Sequence, residues 1–296
     1  MVPRAVLVER PTEWSELLAR HATRAAVRFF LASRAIDAEE VERRHHTFLG
    51  HRHHVLAAIP GDWRRATVAR DDLERFLFEP GDIVVVLGPD GLVANVAKYL
   101  DGQPLIGLNP DPERNAGILV PHPPPAAADL LRDVAAGRAA LQARTMADAR
   151  LDDGQHLLAL NEIFVGHRTH QSARYVLHVG GRSERQSSSG LIFATGTGST
   201  GWAKSINGRL ADPLDLPAAT DPTLAYFARE PWPGPVTGAS LSHGLIGAGE
   251  AARITCELGD GAIAFGDGIE ADALTIDWGQ TLTVGIAARS LQLVRG

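Results

Sequence analysis

Apolar and polar positions fall into alternating blocks along the first third of the chain, and the blocks predict strands and helices in turn. Arg4-Ala-Val-Leu-Val8 reads as a short buried strand, and Trp14 to Ser33 has helical spacing, with Leu17, Leu18 and Ala22 on one side. Glu39 to Ile59 is a second long helical stretch, punctuated by Gly61 and Asp62. Ala66–Ala69 predicts a strand, and Asp71 and Asp72 fit the cap of a short helix ending near Phe78. Asp82-Ile-Val-Val-Val-Leu87 is apolar without alternation, the mark of a strand buried on both faces. The turn Gly88-Pro89-Asp90-Gly91 then leads into a helical segment, Leu92 to Leu100, and Leu105–Leu108 is the next strand. Strands alternating with helices predict a parallel α/β sheet.

The proline-rich break Pro121–Pro125 precedes an alanine-rich helix near Ala126–Arg144. The boundary is placed here, giving an α/β domain over 1–120 and, over 121–296, a linker helix followed by a β-rich domain. Leu157–Val165, Arg174–Val179, Gly190–Ala194, Ala252–Leu258, Ala262–Phe265 and Leu282–Ala287 are strand candidates separated by turn signals. They predict a largely antiparallel domain. The stretch 211–235, rich in Pro, Asp and Ala, reads as a loop.

Composition bounds the function. The 296 residues are 45 % hydrophobic and 22 % charged, as in ordinary globular proteins, and a net charge of −6 argues against binding to nucleic acid or an anionic membrane surface. No apolar run is long enough to span a bilayer, and the opening residues carry no signal-peptide pattern, so a cytoplasmic protein is expected. The single cysteine, Cys256, excludes an internal disulfide and reads as a buried thiol.

Four places carry candidate chemistry. In Ser188-Ser-Gly-Leu-Ile-Phe-Ala-Thr-Gly-Thr-Gly-Ser-Thr-Gly-Trp202, an apolar strand ends in Gly, Thr and Ser and closes on Trp202. Small residues let backbone approach a ligand, hydroxyls suit phosphate or ribose oxygens, and an indole offers a face to a base. A glycine-rich turn with Trp202 as core filler is the plain alternative. The turn Gly88–Gly91 stands where open α/β sheets bind ligands, although Asp90 would repel phosphate and fits a base or a cation partner better. Taken alone, a simple Pro-Asp-Gly turn, a common sequence for that job, is the favoured reading. Asn161-Glu162 interrupts the apolar run 157–165, where polar groups need partners, from a ligand or from within the protein. His45, His46, His51, His53 and His54 are scattered around one helix without a compact metal motif and read as a partly exposed structural helix. Asp267-Gly268 reads as a hairpin turn.

In this order the segments resemble the NAD kinase family, with a likeness to its mitochondrial-type branch. Asp82-Ile-Val-Val-Val-Leu-Gly-Pro-Asp-Gly-Leu92 falls where the family has a strand and Gly-Gly-Asp-Gly-Thr. Ile106-Gly-Leu-Asn-Pro-Asp-Pro-Glu-Arg-Asn-Ala-Gly-Ile-Leu119 is similar to the branch's Asn-x-Asp-Pro-Glu-Arg segment. Leu160-Asn-Glu-Ile-Phe-Val-Gly166 resembles its Asn-Glu motif, and 188–202 its Gly/Thr-rich motif. Arg229-Glu230-Pro231 and Val41-Glu-Arg-Arg-His-His46 extend the likeness, which spans roughly residues 4–290.

The resemblance implies an N-terminal α/β domain, a β-rich C-terminal domain, and transfer of a phosphate from ATP or polyphosphate to the adenosine 2′-hydroxyl of NAD, giving NADP. It makes Asp90 the acid/base residue and Gly88 and Gly91 the shapers of the phosphate turn. Asn109 lies near the phosphates, and Asn161 and Glu162 hold the nicotinamide side of NAD. Thr197, Thr200, Gly201 and Ser205 line the adenosine pocket, with Trp202 stacking on adenine. It also implies Mg²⁺ accompanying ATP and a homodimer.

Two departures fall in the phosphate turn. Pro89 replaces the second Gly, removing an N–H, and Leu92 replaces the Thr, removing a hydroxyl. One donor lost to a charged group is worth about 1.5–3 kcal/mol, roughly ten- to a hundredfold. The departures keep open a catalytically silent nucleotide-binding regulator, or a kinase for another hydroxyl acceptor.

Overall fold

The computed structural model describes residues 2–295, and the chain divides into two compact units, Met1–Leu141 with Gln292–Gly296, and Gln142–Leu291. In chain order the first stretch forms β1 (Arg4–Glu9), α1 (Glu13–His21), α2 (Arg24–Ala32), α3 (Ala38–Ala58), β2 (Arg64–Ala69), β3 (Asp82–Leu87), α4 (Asp90–Ala97), β4 (Pro104–Leu108), α5 (Ala127–Ala135) and β5 (Leu141–Arg144). The second forms β6 (Ala147–Leu151), β7 (His156–Ala159), β8 (Glu162–His167), β9 (Ala173–Val179), β10 (Arg182–Ser188), β11 (Leu191–Ala194), α6 (Trp202–Asn207) and β12 (Thr223–Ala228). It continues through β13 (His243–Gly247), β14 (Ala251–Cys256), β15 (Ala262–Gly266), β16 (Ile269–Ile276) and β17 (Thr281–Ile286) to β18 (Leu291–Val294).

The first sheet has the order β2-β1-β3-β4-β18-β5. Strands β2, β1, β3, β4 and β18 pair in parallel, as the strand–helix alternation predicts. Every residue of β3 is buried, which explains its unbroken apolar run. Leu7, Val85 and Ile106 pack with Val55 of α3 and with Ala127 and Leu131 of α5. A second cluster, Trp14, Leu17, Val27, Leu31 and Val41, holds α1, α2 and the start of α3 together.

Three expectations for this region change. The stretch Trp14–Ser33 is two helices, because Ala22 adopts a left-handed φ of 63° and Thr23 caps α2 by accepting the N–H of Ala26. The alanine-rich helix ends at Ala135, where Gly137 takes φ 67° and its N–H donates to the Val134 carbonyl, so 141–144 is strand. The division between the units falls after residue 141 instead of 120, because α5 packs into the first unit's core.

The second unit is two six-stranded antiparallel sheets, β10-β9-β14-β17-β6-β7 and β13-β12-β11-β8-β15-β16. Their shared core includes Leu177, Ile254 and Val284 from one sheet and Ile163, Phe193 and Tyr226 from the other. The stretch 211–235 is not all loop. Thr223-Leu-Ala-Tyr-Phe-Ala228 is the strand β12, with five of its six residues buried. Cys256 is buried, as expected. Among the described residues no helix is long and apolar enough to cross a membrane.

Candidate functional site

The candidate residues fall into two groups, one on each unit. On the first unit, β3 ends at Leu87 and α4 begins at Asp90, two residues before the expected start. Gly88 is buried, and a Cβ there would meet Leu92 Cδ2 at 2.9 Å, so the Leu92 side chain fills the space over this glycine. Pro89 is the N-cap, with φ −78° and ψ 168°, and makes no side-chain cap bond. Gly91 is exposed with open space around it.

The Asp90 carboxylate binds backbone. Its Oδ1 accepts the N–H groups of Leu119 at 2.8 Å and Val120 at 3.2 Å, and its Oδ2 accepts that of Ile118 at 3.2 Å. The turn is thus tied to the segment after β4. Asn109 serves the same segment. Its Oδ1 accepts the Asp111 N–H at 3.1 Å and its Nδ2 donates to the Asn115 carbonyl at 3.1 Å. Its amide thus shapes the 110–115 loop. Gly107 has to be glycine, since a Cβ would overlap the Leu119 carbonyl.

On the second unit the apolar run 157–165 breaks at Leu160-Asn161 between β7 and β8, and Asp267 explains how the break is stabilised. One carboxylate accepts the N–H groups of Leu160 at 2.9 Å, Asn161 at 2.6 Å and Glu162 at 3.3 Å. Asp267 and Gly268 form the tip of the β15–β16 hairpin with φ 54° and 70°, the positive pair of a type I′ turn. The sequence marks this dipeptide as a turn but gives no sign of its partner 106 residues away.

The Gly/Thr run closes on the other side of the same turn. Thr195 Oγ donates to the Leu160 carbonyl at 2.5 Å, and its backbone N–H donates to the Asn161 carbonyl at 2.9 Å. The same hydroxyl accepts the N–H groups of Thr197 at 3.1 Å and Gly198 at 3.3 Å. A Cβ on Gly198 would overlap the Asn161 carbonyl, and one on Gly196 the Ala218 carbonyl. The glycines are thus required by close backbone approach. The Asn161-Glu162 turn and the Gly/Thr loop form one rigid wall, with Thr195 and Asp267 as the residues that sequence reasoning missed.

What this wall displays is polar. Asn161 and Glu162 are half-buried, and neither side chain has a hydrogen-bond partner among the described residues. Burial, and then the charge of Asp267, push the Glu162 carboxyl up to about 7. Thr197 is buried and its Oγ accepts from Arg144 at 3.4 Å. Thr200, Gly201, Trp202 and Ser205 are exposed, and Thr200 Oγ donates to the Thr197 carbonyl. The indole of Trp202 is stacked on Phe164 at 6.0 Å and 12°, and the Arg229 guanidinium lies 4.9 Å from its ring. Trp202 is therefore an exposed aromatic platform and not core filler.

The histidine helix is α3. His45 Nδ1 is 2.7 Å from the Thr12 hydroxyl, and burial lowers both His45 and His51. Among the described residues no three metal-ligating side chains cluster.

No family model matches the chain. It is 33 % identical over 138 residues to an NAD kinase of Methanospirillum hungatei JF-1, covering 45 % of this chain and 49 % of that protein. It is 34 % identical over 140 residues to an NAD kinase of Aromatoleum aromaticum, covering 45 % and 46 %. The chain thus spans about half the length of the curated relatives it matches. Its fold is similar to yeast NADH kinase complexed with NADH, with a TM-score of 0.60 and 16 % identity over 100 % of this chain and 84 % of that one. It is also similar to an NAD kinase from Archaeoglobus fulgidus in complex with ATP, with a TM-score of 0.57 and 18 % identity over 99 % and 93 %.

Proposed function

We propose that the chain is a member of the NAD kinase family and transfers a phosphate from ATP or polyphosphate to the adenosine 2′-hydroxyl of NAD. The observation that carries this reading is the wall formed by the Asn161-Glu162 turn and the Gly/Thr loop. It leaves two polar side chains without protein partners beside an exposed indole. A ribose and its neighbouring amide supply partners for Asn161 and Glu162, and a purine supplies a face for Trp202.

Asp90 is the proposed base. Its Oδ2 accepts a single N–H and keeps a lone pair for a hydroxyl proton, while the remaining bonds fix the carboxylate in place. The donor enters as its Mg²⁺ complex, with the ion carried on the phosphates. The family likeness further supports a homodimer located in the cytoplasm.

The second reading, a silent nucleotide binder, is favoured by one observation. Pro89 offers no N–H, and Leu92 closes over Gly88. NADP formation from NAD with either donor separates the two. Turnover supports the kinase, whereas NAD binding without NADP supports the silent binder.

A further inference from the structure

We propose that a cleft on the first unit, at the carboxyl ends of β1, β3 and β4, binds the polyphosphate chain of the phosphate donor through Arg10 and Arg114. The proposal rests on the kinase reading above and assigns the donor a place and two residues. The cleft has a volume of about 570 Å³, within the range of small-molecule sites. Strand β1 pairs with β2 on one side and β3 on the other, so the strand order reverses between β1 and β3. Open α/β sheets bind ligands in the crevice outside the strand ends at such a reversal.

The walls come from segments far apart in the sequence. Gly88-Pro89 follows β3, Arg10 follows β1, Arg43–His45 lies on α3, and Pro110–Asn115 follows β4. Three of the stretches that carry the family resemblance therefore meet on one cavity, although the phosphate turn is the only one with an expected task at the phosphates besides Asn109.

The charges in the cleft are unequally satisfied. Arg44 pairs with Glu13 at 2.9 Å and approaches Glu40 at 3.7 Å, and Arg43 also pairs with Glu40. Arg10 and Arg114 are exposed and have no ion pair or hydrogen bond from their side chains among the described residues. A guanidinium is a planar fork of donors that matches phosphate oxygens. These two stand beside the turn from which Pro89 removes an N–H and Leu92 a hydroxyl, so they supply what the turn lacks. Asp111 and Glu113 also line the cleft. Carboxylates beside guanidiniums disfavour a bare anion and suit a polyphosphate that carries a divalent cation.

The test is calorimetric titration of the full chain with Mg²⁺–ATP and with Mg²⁺–tripolyphosphate, for the wild type, Arg10→Ala and Arg114→Ala, alongside donor and NAD KM values. Both ligands are expected to bind the wild type and to compete. Each substitution should weaken both by roughly tenfold or more. Melting temperatures should be unchanged, since neither side chain has a protein partner, and donor KM should rise more than NAD KM. Comparable affinity for the two ligands identifies the phosphate chain as the recognised group and admits inorganic polyphosphate as donor. Binding of ATP without tripolyphosphate overturns recognition through the phosphates. Wild-type affinity and donor KM in both variants, or no binding by the wild type, overturns the cleft. Binding that both variants lose, with no NADP formed by the wild type, upholds the cleft as a polyphosphate site while the kinase reading fails.

Discussion

Asp267 holds Asn161 by its backbone N–H at 2.6 Å and takes the N–H groups of the residues on either side with the same carboxylate. A hairpin tip thus fixes the turn that displays two unpartnered polar side chains. Asp267→Ala leaves three backbone donors without their acceptor, at about 1–3 kcal/mol for each that stays dry. The expected result is a lower melting temperature, faster amide exchange at Leu160–Glu162 and weaker NAD binding. Asp267→Asn keeps one acceptor oxygen and should fall between. Unchanged exchange at these amides in Asp267→Ala would show that the Asp267 carboxylate does not hold the turn.

Glu162 titrates near 7 because it is buried and faces the Asp267 charge. The folded state therefore holds a proton that the unfolded chain releases near the ordinary value of 4.5. Between these values the folded state binds more protons, so this group's contribution to stability falls as pH rises through 7. Glu162→Gln should match the wild type in melting temperature below pH 4.5, exceed it increasingly between pH 4.5 and about 7, and keep a constant advantage above that. A difference between the two that is flat across pH 4–8 contradicts this assignment.

Pro89 and Leu92 make a prediction in the opposite direction from most substitutions. Pro89→Gly restores an N–H to the turn, and Leu92→Thr restores a hydroxyl while clearing the space over Gly88. If the turn binds phosphate, the double variant should gain roughly tenfold or more in kcat/KM for the donor. Equal kinetics in the two proteins would show that the turn makes no contact with the transferring phosphate.

The legible parts of this molecule are those whose cause is local. Asp82–Leu87 reads as a two-sided buried strand because each of its residues is buried, and the Gly/Thr run announces itself by composition. β12 is hidden because Pro- and Asp-rich segments flank a strand of only six residues. Alanine content extends the expected helix to Arg144, whereas the left-handed Gly137 marks the turn after α5. The tertiary partners were out of reach. Nothing near Asp267 in the sequence points to Asn161, and nothing near Asp90 points to the N–H groups of Ile118–Val120. Arg10 and Arg114 come to one cleft only once β1 and β4 lie in the same sheet.

The proposed reaction is NADP formation from NAD, with Asp90 as the proposed base that removes the 2′-hydroxyl proton. Its most direct test is a coupled assay of NADP formation from NAD with ATP and with polyphosphate, comparing the wild type with Asp90→Asn, alongside NAD affinity and melting temperature. The expected result is turnover by the wild type with at least one donor, and a drop in kcat of about 10²–10⁴-fold in Asp90→Asn with NAD still bound. Full activity in Asp90→Asn would contradict the assigned base, and NAD binding by the wild type without NADP from either donor would contradict the kinase itself.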